Sequence, residues 1–238
     1  MKRALVTGGS RGIGAAIAAT LADAGWAVVA ADVDAEAVAD AARGHSGAAI
    51  RDVVLDVTDR AAVRALMADD APFDVVVNNA AIGADMLPFA ALTAGQFARA
   101  LRINVMGSFI VAQEAARQME GGAIVNIASR GYLGGIGGTH YVASKAAVVG
   151  MTRAMAVELR WRGIAVNAVA PGMVETRMIA GFSPAMRQTM TAMEPGGAPL
   201  DPAVIAGAVG YLASPAGRAM TGQILLVDGG KTIGVGLY

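Results

Sequence analysis

The length and composition of the chain limit what kind of protein it is. Its 238 residues suit one α/β domain, and we expect a single domain over residues 1–238. Lysine plus arginine and aspartate plus glutamate both number 19, so there is no net charge to attract nucleic acid or an anionic membrane. The absence of cysteine excludes disulfides, thiolate metal ligands and a cysteine nucleophile. No apolar run is long enough for a signal segment or a membrane span, so we expect a cytoplasmic protein with no membrane partner.

Short apolar segments alternate with helix-like segments along the chain. Seven of them are predicted to be strands, at residues 4–6, 26–31, 48–55, 74–77, 123–128, 164–169 and 223–227. Uninterrupted apolar strands separated by helices are typical of a parallel sheet that is covered on both faces. The pattern therefore predicts a doubly wound, Rossmann-type α/β fold with a seven-stranded parallel sheet and helices on both faces.

The first predicted strand runs directly into the glycine-rich sequence TGGSRGIG, residues 7–14. Glycines let a backbone approach a pyrophosphate closely, and the N-terminus of the following helix offers free amides to the phosphates. Glycine clusters more often mark ordinary turns, but the strand before this one and the alanine-rich helix after it favour a nucleotide site. The predicted cofactor-binding residues here are Gly8, Ser10, Arg11, Gly12, Ile13 and Gly14.

An acidic residue, Asp32, ends the second predicted strand. It lies close to the ~20-residue spacing at which a carboxylate accepts hydrogen bonds from the adenosine ribose hydroxyls of a dinucleotide. A 2′-phosphate would meet this carboxylate, and two like charges ~4 Å apart at an effective dielectric of about 20 cost on the order of 4 kcal/mol. Asp32 therefore favours NAD over NADP.

Three polar residues downstream predict a proton-transfer site. Tyr141 and Lys145 are four residues apart, so they share one face of a helix. A nearby ammonium favours phenolate, and we expect Lys145 to lower the pKa of Tyr141 from its ordinary value of about 10. Ser129 ends an apolar strand-like run and is placed to hydrogen-bond the oxygen that tyrosine protonates. A tyrosine and a lysine at this spacing are often only helix neighbours, and the glycine-rich loop is what favours catalysis.

Segment 175–201 interrupts the alternation with prolines and glycines and predicts a lid over the active site. Its apolar residues suit either a helix that packs its own core or a lining for an apolar substrate: Met178, Ile179, Phe182, Met186, Met190 and Met193. Arg130 and Arg177 are candidates to meet a substrate carboxylate or a cofactor phosphate, or else are solvated. The histidines, His45 and His140, are isolated, so we expect no metal, and we interpret His140 as a surface or loop-packing residue.

With both motifs present, the chain resembles the short-chain dehydrogenase/reductase family from Lys2 to about Gly230. The family's glycine motif corresponds to residues 7–14, and its Ser-Tyr-Lys set corresponds to Ser129, Tyr141 and Lys145. The other family motifs correspond to Asp56 within LDV, to Asn78-Asn79-Ala80-Ala81, where Ala81 replaces a glycine, to Asn104 within INV, and to Pro171-Gly172 with Thr176 following.

The resemblance implies hydride transfer between a nicotinamide and a carbon that bears an alcohol or carbonyl oxygen. By this resemblance Tyr141 moves the proton, Ser129 orients the substrate oxygen and Lys145 holds the nicotinamide ribose. Asn104 holds a water that joins Lys145 to solvent. The residues implied near adenosine are Asp56, Val57, Asn79, Ala80 and Ala81, and those implied at the nicotinamide end are Pro171, Gly172, Val174 and Thr176. Gly172 is implied to let the chain pass close to the nicotinamide ring.

The resemblance also bears on cofactor choice and assembly. A basic residue at Arg11 often accompanies NADP preference in this family, but Arg11 can also pair with Asp32 or lie in solvent, so NAD stays favoured over NADP. Two long helices, predicted at 93–119 and 139–162, are implied to pair across one interface of a homotetramer. The tail at 222–238, with Ile233, Val235 and Leu237, is implied to pack across a second interface.

Three functions are consistent with the sequence. The favoured one is NAD-dependent oxidation or reduction of a small, largely apolar secondary alcohol or ketone. The second is reduction of 3-oxoacyl thioesters, which calls for a basic patch near the pocket, where the lid offers only Arg177 and Arg187. The third is a non-catalytic dinucleotide sensor, which the intact Ser-Tyr-Lys set disfavours.

Overall fold

Seven parallel strands form one sheet in the order β3-β2-β1-β4-β5-β6-β7. The structure is a computed structural model that describes residues 1–45, 49–69, 72–180 and 182–234. The strands are β1 (Arg3–Thr7), β2 (Ala27–Asp32), β3 (Ile50–Val54), β4 (Val75–Asn78), β5 (Gly122–Ile127), β6 (Ile164–Pro171) and β7 (Ile224–Val227). The predicted Rossmann-type fold class is confirmed. Ala48, in the third predicted strand, lies outside the described residues.

Helices cover both faces of this sheet. They are α1 (Gly12–Asp23), α2 (Ala35–Gly44), α3 (Arg60–Asp69), α4 (Ala94–Leu101), α5 (Ser108–Gln118), α6 (Thr139–Leu159), α7 (Arg177–Ala180), α8 (Pro184–Ala192), α9 (Pro202–Ala213) and α10 (Lys231–Gly234). Within the described ranges, no helix has the length and apolar character needed to cross a membrane.

The core divides into two layers because alternate side chains of a strand point to opposite faces. Ala4 and Val6 of β1 pack on one face with residues of α1 and α9, such as Ile17 and Ile205. Leu5 packs on the other face, with residues of α3 and α5. Strands β1, β2, β4, β5 and β6 are therefore buried from both sides, whereas the edge strands β3 and β7 are partly exposed.

The chain is helical from Ala94 to Gln118, as predicted over 93–119, with one local irregularity. Thr93 begins α4 with a reciprocal capping box to Gln96, but a π-helical turn at Arg102–Gly107 separates α4 from α5. Asn104 lies in this turn and uses its side chain to bind a neighbouring loop. Such turns widen a helix locally and are frequent at functional sites.

The order of the strands reverses direction between β1 and β4. Ligands of open parallel sheets bind beyond the carboxyl ends of the strands at this switch point. Thr7 ends β1 and Asn78 ends β4, so the glycine-rich loop and the Asn78-Asn79-Ala80-Ala81 segment emerge side by side there.

Candidate active site at the carboxyl edge of the sheet

The glycine-rich loop folds back onto the first turn of α1. A Cβ atom at position 14 would lie 1.9 Å from the carbonyl oxygen of Gly8, so only glycine fits there. Asn79 holds the loop in place, since its side-chain amide donates to the carbonyl oxygens of Thr7 at 3.0 Å and Gly8 at 2.9 Å. The backbone amides of Asn79 and Ala80 donate to the Thr7 hydroxyl, each at 3.1 Å. The strand ends β1 and β4 are thereby joined.

The loop has the free donors that a dinucleotide pyrophosphate needs. Arg11 occupies the N-cap of α1 and provides no side-chain cap, which leaves the first-turn amides free of side-chain acceptors. The Ser10 hydroxyl is buried and, among the described residues, has no hydrogen-bond partner. A buried hydroxyl and a helix N-terminus together match the requirements of a phosphate group. The residues present therefore fit the phosphates of a nicotinamide dinucleotide.

Arg11 pairs with Asp34 and not with Asp32, the partner considered from the sequence. The Arg11 guanidinium lies 2.8 Å from the Asp34 carboxylate, and both side chains are about two-fifths exposed, at 40% and 36%. Asp34 is also the N-cap of α2 and accepts from the Ala37 amide at 3.1 Å. This backbone hydrogen bond and the Arg11 hydrogen bond lower the pKa of Asp34. Asp32 ends β2 and accepts from the Asp34 amide at 3.2 Å.

The residues expected near adenosine lie at the same edge of the sheet. Asp56 follows β3 and accepts from the Thr58 amide and hydroxyl, each at 2.8 Å. Val57 is buried against Gly107, where an added Cβ would lie 2.6 Å from a Val57 methyl. Ala81 has no positive φ, so replacing the family's glycine causes no backbone strain at this position.

Ser129, Tyr141 and Lys145 meet beyond the end of β5. The Ser129 hydroxyl accepts from the Gly131 amide at 3.0 Å, and a Cβ at Gly131 would lie 3.5 Å from the Tyr141 ring. The Lys145 ammonium is 5.7 Å from the centroid of that ring and donates to the Ile127 carbonyl at 2.8 Å. Lys145 is only 4% exposed, so its charge sits in the interior next to the phenol.

The pKa of Tyr141 differs from our expectation. Burial raises it above the ordinary value, and a hydrogen bond with the Ser129 side chain only partly opposes this. Burial also lowers the pKa of Lys145 to about 8. The expectation that Lys145 lowers the tyrosine pKa neglected desolvation, which disfavours the phenolate and the ammonium alike.

Asn104 is almost fully buried and binds protein groups with its whole side chain. It accepts from the Ile82 amide at 2.8 Å, and it donates to the Ile82 carbonyl and the Ser144 hydroxyl, each at 3.0 Å. Both of its amide protons are therefore used within the protein. Asn104 ties the loop that follows β4 to α6, at the residue before Lys145.

Residues expected at the nicotinamide end follow β6. The Thr176 methyl is 3.2 Å from where a Cβ on Gly12 would lie, which brings this segment to the glycine-rich loop. Val174 is buried and forms an isolated parallel bridge with Leu200. At Gly172 the close neighbour is Asp228, whose Cα would be 3.0 Å from an added Cβ. A side chain at position 172 would therefore crowd Asp228, just beyond the end of β7.

Several contacts at the site were missed from the sequence. Of the two interpretations of His140, surface or loop packing, the structure supports loop packing, because His140 is buried and its Nε2 accepts from the Asp85 amide at 3.3 Å. A buried ion pair of 2.6 Å joins Glu194 to Lys231. Both contacts join segments that are far apart in the chain, and no local pattern predicts them. In the described part of the chain, no group of three or more His, Asp or Glu side chains could hold a metal ion.

Comparison with known proteins agrees with this geometry. A family model described as enoyl-(acyl carrier protein) reductase matches residues 8–232. A cis-4-hydroxycyclohexanecarboxylate dehydrogenase of Sinomonas cyclohexanicum is 41% identical, over 96% of both chains. A 3-oxoacyl-[acyl-carrier-protein] reductase of Vibrio cholerae is 37% identical, also over 96% of both. A crystal structure of a putative gluconate dehydrogenase from Agrobacterium tumefaciens superposes with a TM-score of 0.92 and 31% identity, over 98% of this chain and 97% of that one.

The fold and these relatives define an oxidoreductase that uses a nicotinamide cofactor. The chain belongs to the short-chain dehydrogenase/reductase family.

Proposed function

We propose that this chain is an NAD-dependent enzyme that interconverts a small, largely apolar secondary alcohol and the matching ketone. The observation that carries the proposal is the meeting of Ser129, Tyr141 and Lys145 at the edge of the sheet that also bears the glycine-rich loop. When bound, the nicotinamide supplies the hydride in reduction and takes it up in oxidation.

The proton steps belong to the protein's own residues. In reduction, Tyr141 gives its hydroxyl proton to the carbonyl oxygen, and in oxidation it takes the alcohol proton. Ser129 orients that oxygen by a hydrogen bond. Lys145 holds the ribose hydroxyls and supplies positive charge near the phenol, and Asn104 positions α6 through Ser144. The raised pKa of Tyr141 keeps the phenol protonated at neutral pH, which suits a proton donor.

The proposed substrate class follows from apolar side chains near the site. Leu133 and Ile136 lie between Ser129 and Tyr141 and are 56% and 95% exposed. Helix α8, in the lid proposed at 175–201, has no fully buried residue. This favours the interpretation that Met186 and Met190 line a substrate site over the interpretation that they form a closed core of the lid. The Sinomonas relative, by its name, oxidises a hydroxylated six-membered ring acid.

Reduction of 3-oxoacyl thioesters is the second candidate, favoured by the name of the Vibrio relative. This reaction calls for a basic patch near the pocket, and the lid has two arginines, Arg177 and Arg187. Arg187 is paired with Glu175 at 2.7 Å, so the lid offers only Arg177 for such a patch. Turnover assays with both cofactors, on secondary alcohols, ketones and a 3-oxoacyl thioester, decide between the two. Tight dinucleotide binding without any turnover would instead support the sensor.

The proposal also includes one domain over 1–238 and a homotetramer. Apolar side chains are exposed on the elements that were expected to pair, with Met106 at 47%, Val157 at 57% and Trp161 at 82%. Ile233, near the C-terminus, is 84% exposed, while Val235 and Leu237 lie outside the described residues. Static light scattering at micromolar concentration tests the assembly, and a monomer mass contradicts it.

A further inference from the structure

Arg130 directly follows Ser129 and begins a short 3₁₀ turn, Arg130–Leu133, just beyond β5. Its side chain is partly buried, and its Nε is fully buried with no hydrogen-bond partner in the described ranges. No carboxylate of the described residues comes within 4.0 Å of its guanidinium. An arginine has five N–H donors in a planar fork, and leaving them unused in a partly buried place is costly.

The carboxylate of Asp228 lies near Arg130 but is already bound elsewhere. It accepts from the Gly230 amide at 3.0 Å and from the Thr232 amide at 2.9 Å, and the Thr232 hydroxyl also donates to it. Burial acts to raise the pKa of Asp228, but these hydrogen bonds and the charge of Arg130 lower it overall. The Asp228 carboxylate is therefore hydrogen-bonded within its own segment and does not use the guanidinium donors of Arg130.

The position of Arg130 separates it from the phosphates of the cofactor. The glycine-rich loop follows β1, whereas Arg130 follows β5, with β4 between them, and its charge reaches Asp228 at the end of β7. This is the half of the sheet edge on which Ser129 meets the substrate oxygen. The neighbouring exposed side chains, Leu133 and Ile136, are apolar.

We infer that Arg130 binds a carboxylate of the substrate, so that the substrate is a hydroxy acid or the matching oxo acid. An apolar ring or short chain lies between the carboxylate and the carbinol carbon, against Leu133 and Ile136. The planar fork of arginine matches a carboxylate through two parallel hydrogen bonds. This inference rests on the proposed function and names the substrate class of the same site.

The test compares one ring substrate in two charge states, 4-hydroxycyclohexanecarboxylate and its methyl ester. Arg130→Met removes the charge and keeps the length of the side chain. We expect KM for the carboxylate to rise roughly 10- to 100-fold, with kcat/KM for the ester changed less than about twofold. Arg130→Lys should recover part of the loss. The control is Arg43→Met, the same change at a 72% exposed arginine on α2, which should leave KM and kcat/KM unchanged for both substrates.

The outcomes separate this inference from the proposed function. A wild-type enzyme that turns over the ester but not the acid overturns the inference and leaves the function standing. Failure of both substrates, while an uncharged secondary alcohol is turned over, overturns the inference alone, and failure of every alcohol and ketone with either cofactor overturns both. If Arg130→Met loses the ester as strongly as the acid while circular dichroism shows a folded chain, Arg130 braces the Asp228 segment and the inference is wrong. If Arg130→Met does not fold, the carboxylate-to-ester ratio of Arg130→Lys decides, and an unchanged ratio overturns the inference.

Discussion

The guanidinium of Arg11 lies 2.8 Å from the carboxylate of Asp34, two residues beyond the end of β2. The pair spans the carboxyl ends of β1 and β2, where the adenosine ribose of a dinucleotide belongs. Arg11 is the basic residue that could meet a 2′-phosphate, and in this structure its charge is already balanced. We propose that this pairing weakens the attraction of Arg11 for a 2′-phosphate, so that Arg11 no longer opposes the NAD preference expected from Asp32.

We predict that the wild-type enzyme prefers NAD and that Asp32→Ser narrows the ratio of kcat/KM between the cofactors by about two to three powers of ten. Asp34→Asn should narrow it by about tenfold, because asparagine keeps the helix cap but releases Arg11. Steady-state kinetics with NAD and NADP measure both ratios. Adding Arg11→Met to Asp34→Asn should cancel the increase in NADP use that Asp34→Asn causes alone. A wild-type preference for NADP contradicts this account.

Tyr141→Phe should preserve the fold and dinucleotide binding but reduce kcat by about 10²- to 10⁴-fold, the usual contribution of a general acid or base. The loss should appear in both directions, because the same hydroxyl moves the proton each way. Single-turnover kinetics and fluorescence titration of the reduced cofactor separate turnover from binding. A near wild-type rate would exclude Tyr141 from the proton transfer.

The lowered pKa of Lys145 predicts how stability depends on pH. The pKa is about 8 in the folded chain against 10.5 for an ordinary lysine, so between these values the unfolded chain binds more protons. The free energy of unfolding should therefore rise with pH across this window. Between about pH 7.5 and about pH 9.5, the free energy of unfolding measured in urea should increase by about 2 kcal/mol more for the wild type than for Lys145→Met. Parallel curves for the two proteins would show that Lys145 is not desolvated.

The Glu194–Lys231 ion pair anchors the end of the lid to α10. Its side chains are only 4% and 11% exposed, so Lys231→Met leaves a buried carboxylate unpaired and should cost about 3–5 kcal/mol. The double variant Lys231→Met with Glu194→Gln should recover part of that loss. The matched control is Arg187→Met, which breaks the exposed Glu175–Arg187 pair and should cost at most about 1 kcal/mol. Equal costs for the two single variants would show that the Glu194–Lys231 pair is not a buried anchor.

Gly14→Ala should abolish tight dinucleotide binding, since its methyl would lie 1.9 Å from the Gly8 carbonyl oxygen and force the loop to move. Gly207→Ala in α9 is the control, because nothing lies within 4 Å of the added carbon there. That change should raise stability by about 0.5–1 kcal/mol through helix propensity. Titration with the reduced cofactor and thermal unfolding measure the two effects, and unchanged affinity in Gly14→Ala would show that the loop is not rigid.

Periodicity predicted the sheet well because strands buried on both faces must be apolar along their whole length. It did not predict the π-helical turn within the helix expected over 93–119. Asn104, in that turn, accepts a hydrogen bond from the Ile82 amide and donates one to the Ser144 hydroxyl, and both residues are distant in the chain. The hydropathy pattern of the sequence does not predict hydrogen bonds between such distant residues.

The glycine-rich loop, the Tyr141 and Lys145 spacing and the run of strands are local features, so the sequence alone determined the fold class and the candidate residues. Tertiary structure decided which charges face each other and which lose water. It paired Arg11 with Asp34, buried Glu194 with Lys231, left the Arg130 Nε without a hydrogen bond among the described residues and raised the pKa of Tyr141. Ion pairing and desolvation depend on neighbours that the fold brings together from separate segments, and this is why spacing along the chain did not reveal them.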